Sequence, residues 1–113
     1  MLNQSERLDR IFRALADPTR RRLLERLTGG PAAVSTLAAP LEMSLAAVVQ
    51  HLQVLQDAGL IRSEKVGRVR TCQLAPDALR PAEHWLRARR TRWEHRLDAL
   101  GTALTDTTDD HEE

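Results

Sequence analysis

Eighteen residues constrain this chain more than any others: S-L-A-A-V-V-Q-H-L-Q-V-L-Q-D-A-G-L-I, from Ser44 to Ile61. Ser44 is a strong helix N-cap. Leu45, Val48, Leu52 and Leu55 then recur at helical spacing and form an inward stripe. Gly59 is a natural residue just past a helix end, with Leu60 supplying the hydrophobic contact that accompanies such a stop. The opposite face centres on Gln50, flanked by Ala46, Ala47, Gln53 and Val54, with Val49 and His51 at its margins. That face holds short apolar groups and amides, with no charge. Such a surface either fills space or lies against something shaped to receive it.

The flanking segments narrow the choice. Leu8, Ile11, Phe12 and Leu15 mark an amphipathic helix, which ends near A-D-P-T. There Asp17 is a good N-cap and Pro18 a good first residue for a second helix, with Leu23, Leu24 and Leu27 inward. Gly29-Gly30-Pro31 stops it. A short helix is expected over A-A-V-S-T-L-A-A, ended by Pro40. After Gly59 the character changes: I-R-S-E-K-V-G-R-V-R-T-C-Q-L reads as two strands, about Leu60–Val66 and Val69–Leu74, joined at Gly67-Arg68. A connector leads to the longest helix, Pro81 to about Leu104, with an apolar stripe of Ala82, Leu86, Trp93, Leu97, Leu100 and Leu104. Residues 105–113, rich in Asp, Thr and Glu, are expected to be a disordered acidic tail. The fold class is mainly α with a small β-hairpin, in one domain over residues 1–104.

Composition excludes several classes. At 113 residues there is room for one core, and 42% hydrophobic content supports it. A net charge of +1 argues against a chain basic throughout but leaves room for a local patch. The cations are sixteen Arg and Lys65 alone, and Arg suits phosphate binding. Cys72 is the sole cysteine, which rules out an internal disulfide and a four-cysteine zinc site. No signal segment and no membrane span are read, so a cytoplasmic protein is expected. No Ser/His/Asp order, phosphate loop or paired-carboxylate cleft is visible, so an enzyme is not expected.

The order helix, helix, short helix, turn, helix, hairpin, long helix matches a helix-turn-helix followed by a wing. A helix fits the major groove and its amino-terminal half meets base edges. Gln50 can pair bidentately with adenine, and Ala46 and Ala47 can touch thymine methyls. Ser44 and the neighbouring N–H groups can receive a phosphate. Arg68 and Arg70, at or beside the hairpin tip, suit a narrow minor groove, and Arg62 and Lys65 suit phosphates. Val49, His51 and Gln53 complete the expected DNA-binding set. The competing reading is a winged helix that binds protein rather than DNA. Salt dependence separates the two, because only DNA binding releases several counterions.

The stretches F-R-A-L-A-D-P-T-R-R-R-L-L-E-R-L, Q-H-L-Q-V-L-Q-D-A-G-L-I and G-R-V-R together resemble the ArsR/SmtB family of bacterial transcriptional regulators. The resemblance covers about Leu8 to Leu104. It implies a winged helix-turn-helix homodimer, joined through its first and last helices, that binds pseudo-palindromic operator DNA and usually represses. Leu8, Ile11, Leu86, Trp93, Leu97 and Leu100 are then the expected dimer-interface residues. Three departures bear on the DNA sequence read. Val49 stands where relatives often carry a serine in S-x-H-L, Gln53 where a lysine often follows H-L, and R-T-C-Q-L where the wing often carries tyrosines.

Many relatives release DNA on binding metal. One family site needs a cysteine pair before the recognition helix, and A-A-V-S-T-L-A-A has none. A second, on the last helix, is approximated by A-E-H at Ala82–His84 and H-R-L-D at His95–Asp98. In an antiparallel pair of helices His84 of one subunit could meet His95 and Asp98 of the other, so these three are candidate Ni or Zn ligands, with Ala82 in place of a carboxylate. The favoured expectation is that no cofactor is required and that these are surface residues. A protein co-regulator, or Cys72 as a half-buried redox thiol beside Arg70, are the other inputs consistent with the sequence.

Overall fold

The computed structural model describes residues 3–112, with side chains described as far as Thr105. The chain divides into two compact units, residues 1–82 and residues 83–113. The core, and every element before the long helix, belong to the first.

Helix α1 (Gln4–Leu15) opens with a reciprocal cap. The Glu6 N–H donates to the Asn3 side chain at 2.8 Å, and the Asn3 N–H to the Glu6 carboxylate at 3.4 Å. Helix α2 (Pro18–Leu27) starts as the sequence predicts, with the Arg20 N–H donating to Asp17 at 3.0 Å and Pro18 in the first turn. Strand β1 (Ala32–Ala33) and helix α3 (Val34–Ala38) follow. Helix α4 (Leu45–Asp57) is capped by Ser44, whose Oγ accepts from the Ala47 N–H at 3.1 Å. Strands β2 (Ile61–Val66) and β3 (Val69–Leu74) form the hairpin, and α5 spans Arg80–Glu112.

Helix α4 ends in a Schellman motif. The Leu60 N–H donates to the Leu55 carbonyl and the Gly59 N–H to the Gln56 carbonyl, both at 2.9 Å. Gly59 holds φ +78°, and a Cβ there meets nothing within 4 Å. The need for glycine is therefore purely a backbone one. Gly59→Ala is expected to cost roughly 1–2 kcal/mol, read as a lower urea midpoint with an unchanged m-value.

In the hairpin, Gly67 takes the first central turn position with φ +65°, the glycine preference of a type II′ turn. Register runs from Ile61 opposite Leu74 to Val66 opposite Val69. Strand β1 adds to the other edge of β3, giving the order β1-β3-β2. This third strand corrects the expectation of a helix from Ala32: the first two residues of A-A-V-S-T-L-A-A pair with Thr71 and Cys72 instead.

Ile11, Ala14, Leu23, Leu27, Leu37, Val48, Leu52, Leu55, Leu60, Ile61, Cys72 and Ala82 form one core. Two expectations change here. Leu45 is 57% exposed rather than inward, because the first residue of a helix has no preceding turn for its side chain to lie on. Ile11 is only 2% exposed, so it is a core residue and has little surface left to offer a dimer partner. Leu8 remains half-buried.

Helix α5 continues past the Leu104 end read from the apolar stripe. No glycine or proline follows Leu104, and an established helix adds residues without an apolar signal. The disorder expected of residues 105–113 falls mostly on side chains outside those described, and Glu113 lies outside them altogether.

Candidate nucleic-acid interface

With Val48, Leu52 and Leu55 buried, helix geometry turns Ala46, Val49, Gln50 and Gln53 outward, and all four are exposed. Ala47 is half-buried beneath them. The Gln50 amide makes no hydrogen bond among the described residues, so its donor and acceptor stay available together. The Gln53 amide instead donates to Asp57 Oδ1 at 2.9 Å. It is tied back along its own helix and is the less free of the two.

His51, expected at the margin of this face, is also tied inward. Its Nδ1 lies 3.2 Å from Arg20 Nη1 and 3.8 Å from Asp17 Oδ2. Arg20 also donates through Nε to the Ala14 carbonyl at 2.8 Å and through Nη2 to the Arg13 carbonyl at 3.0 Å. One guanidinium thus caps the end of α1 and reaches α4. The Arg20 N–H holds the Asp17 carboxyl below the usual carboxylate range, against an opposing desolvation and with smaller help from the Arg20 charge. Sequence reasoning read Asp17 as a cap only and did not single out Arg20. The D-P-T-R signal was visible, but the direction of its arginine was not.

The hairpin is a local basic element. Between Ile61 and Leu74 there are four cations, Arg62, Lys65, Arg68 and Arg70, against one carboxylate, Glu64. That concentrates positive charge in a chain that is nearly neutral. Arg68 occupies the turn and makes no hydrogen bond or ion pair among the described residues. Arg70 differs: it donates to Ser63 Oγ at 3.0 Å, and Ser63 donates to Gln56 Oε1 at 2.9 Å. This relay ties the hairpin to the end of α4. Neither Gln56 nor Ser63 carries a sequence signal for it, since the contact depends on strand pairing and on the Schellman turn.

Cys72 is 1% exposed. Burial pushes its thiol up, against a smaller opposing effect of Arg70. A thiol kept protonated and closed off lacks the access a redox sensor requires. The half-buried thiol expected from strand alternation is thus a core residue.

On α5, Leu86, Trp93, Leu97, Leu100 and Leu104 are all exposed, Trp93 by 67% and Leu97 by 66%. Their spacing of seven, four, three and four residues is that of a helix-pairing seam. His84 and His95 are exposed too, and lie about 16 Å apart along the helix by its rise per residue. Asp98 follows one turn beyond His95. Among the described residues no three His, Cys, Asp or Glu side chains come together as metal ligands, and Ala82 is packed in the core. The expected site takes His84 from one subunit and His95 and Asp98 from the other, so it is a site of two chains rather than of one. Among the described residues no helix is long and apolar enough to cross a membrane.

Residues 15–64 match the helix-turn-helix domain family. The HTH-type transcriptional regulator Rv2034 of Mycobacterium tuberculosis is 49% identical over 71 residues, which cover 63% of this chain and 66% of that relative. The crystal structure of the ArsR family transcriptional regulator RHA00566 is similar with TM-score 0.77 and 47% identity, over 83% of this chain and 97% of that one. The solution structure of the homodimeric winged helix-turn-helix DNA-binding domain Mb0332 of Mycobacterium bovis aligns with TM-score 0.61 and 27% identity, over 79% and 83%.

Proposed function

From the premise that this chain belongs to the ArsR/SmtB family of winged helix-turn-helix transcriptional regulators, we propose how it meets its operator. The chain is a DNA-binding transcriptional regulator. In the proposed complex it binds a pseudo-palindromic operator as a homodimer. Helix α4 enters the major groove, and the β2–β3 wing lies along the flanking minor groove. The carrying observation is the pairing of two surfaces: an uncharged outer helix face with a free Gln50, and a wing with four cations against one carboxylate. The first can lie against base edges without forcing a charge out of water, and the second supplies the attraction to phosphates.

Each residue takes a part. Ser44 and the first N–H groups of α4 hold a phosphate, and Gln50 reads a base. Ala46, Ala47 and Val49 contact thymine methyls or sugars. Arg62 and Lys65 bind phosphates, and Arg68 enters the minor groove. Arg70 contributes charge while bracing the wing. The α5 seam of Leu86, Trp93, Leu97 and Leu100 pairs with its counterpart in the second subunit, with Leu8 of α1 adding apolar surface. Occupied promoter DNA excludes polymerase, so the regulatory effect is repression. No cofactor is needed for binding.

Hydroxyl-radical footprinting on the gene's own upstream DNA tests this. Two protected half-sites of inverted symmetry, one or more helical turns apart, are expected, unchanged by EDTA. Deleting them should raise expression of a reporter. A single unsymmetrical footprint, or protection that EDTA abolishes, contradicts the reading.

A further inference from the structure

The contact between Arg20 and His51 has a chemical consequence. A guanidinium only donates hydrogen bonds, so a guanidinium nitrogen 3.2 Å from His51 Nδ1 requires a lone pair there. The neutral ring must then carry its proton on Nε2. Asp17, the one carboxylate near Nδ1, favours the opposite tautomer. It sits at 3.8 Å, beyond hydrogen-bond reach, and already accepts from the Arg20 N–H. The guanidinium is held by both of its other nitrogens on the carbonyls of Ala14 and Arg13, so it cannot swing away.

The far edge of the ring is open. The His51 side chain is 22% exposed, no hydrogen bond engages Nε2 among the described residues, and no described side-chain nitrogen is buried without a partner. Nε2 therefore reaches solvent, on the helix whose outer face carries Gln50.

We propose that Arg20 is a positioning residue for DNA recognition: it fixes His51 as the Nε2–H tautomer, so that α4 presents an oriented donor to an acceptor on DNA. This rests on the DNA-binding reading above. The acceptor is a guanine O6 or N7, or a phosphate oxygen. Lysine cannot replace the arginine, because one ammonium cannot hold two carbonyls of α1 and the imidazole in a fixed plane.

The test has two arms. The first needs no DNA: 15N-histidine NMR of the full chain at neutral pH. Protonated Nε2 and bare Nδ1 are expected for His51 in the parent, and a mixed pattern in Arg20→Lys. A predominantly Nδ1–H ring in the parent overturns the proposal. The second compares two amides by anisotropy. His51→Gln places its NH₂ where Nε2 lies and should keep affinity within about threefold. His51→Asn places it near Nδ1 and should lose about tenfold or more, the scale of one specific hydrogen bond. Loss confined to duplexes with one base pair intact identifies guanine; equal loss on every duplex identifies phosphate. An Asn variant that binds like the parent sinks this proposal alone. A parent that binds no duplex sinks the DNA reading, while the tautomer result still stands or falls by itself.

Discussion

Leu97→Asp is expected to turn the dimer into a monomer and to weaken operator binding by about 10²–10⁴-fold, the range over which joining two binding modules raises avidity. Leu97 lies in the middle of the α5 seam and is 66% exposed in the single chain. Burying such a side chain contributes about 1.5–3 kcal/mol, and an aspartate there adds a charge that must stay hydrated. Leu97 belongs to the unit of residues 83–113, and the core to the unit of residues 1–82, so far-UV circular dichroism and the unfolding of that core should change little. Sedimentation velocity reads the assembly and anisotropy the affinity. A monodisperse variant dimer that still binds operator would remove α5 from the interface.

Gln50→Ala is expected to cost about 1–3 kcal/mol against the operator, with the loss concentrated at one base pair. Gln50 is an exposed amide on α4 that makes no hydrogen bond among the described residues, whereas Gln53 is held by Asp57. Changing the base pair it reads should cost the parent about as much and the variant almost nothing. Arg68→Ala gives the opposite signature: weaker binding to all duplexes alike, and a salt slope smaller by about one. If the Gln50 variant loses affinity uniformly, or the Arg68 variant at a single base pair, the assigned roles are exchanged.

The parts of this molecule that the sequence reveals are those specified by neighbours in the chain. Ser44, Asp17 and Gly59 each satisfy backbone groups within five residues, so the ends of α2 and α4 are readable directly. Gly67 likewise fixes the hairpin. Parts that depend on distant contacts are not readable. Ala32 and Ala33 have no strand character of their own and become β1 because β3 offers an open edge. Ile11 and Phe12 both lie on the apolar stripe of α1, yet burial separates them: Ile11 enters the core and Phe12 remains 36% exposed. Periodicity gives the face but not the depth.

The candidate interface divides the same way. Gln50 and the wing cations follow from helix phase and hairpin position. The attachment of His51 to Arg20 spans 31 residues of sequence, and that of Arg70 to Gln56 through Ser63 joins two secondary-structure elements. Both turn residues expected to touch DNA into residues that also hold the reading elements in place.

The most direct measurement is fluorescence anisotropy of a labelled duplex from the gene's own upstream region against a scrambled duplex, titrated across salt in the presence of EDTA. The account predicts tight, EDTA-resistant binding to the first and much weaker binding to the second, with log affinity falling steeply against log salt, as expected when several phosphates are neutralised. Equal affinity for both duplexes, or a slope near zero, would contradict it.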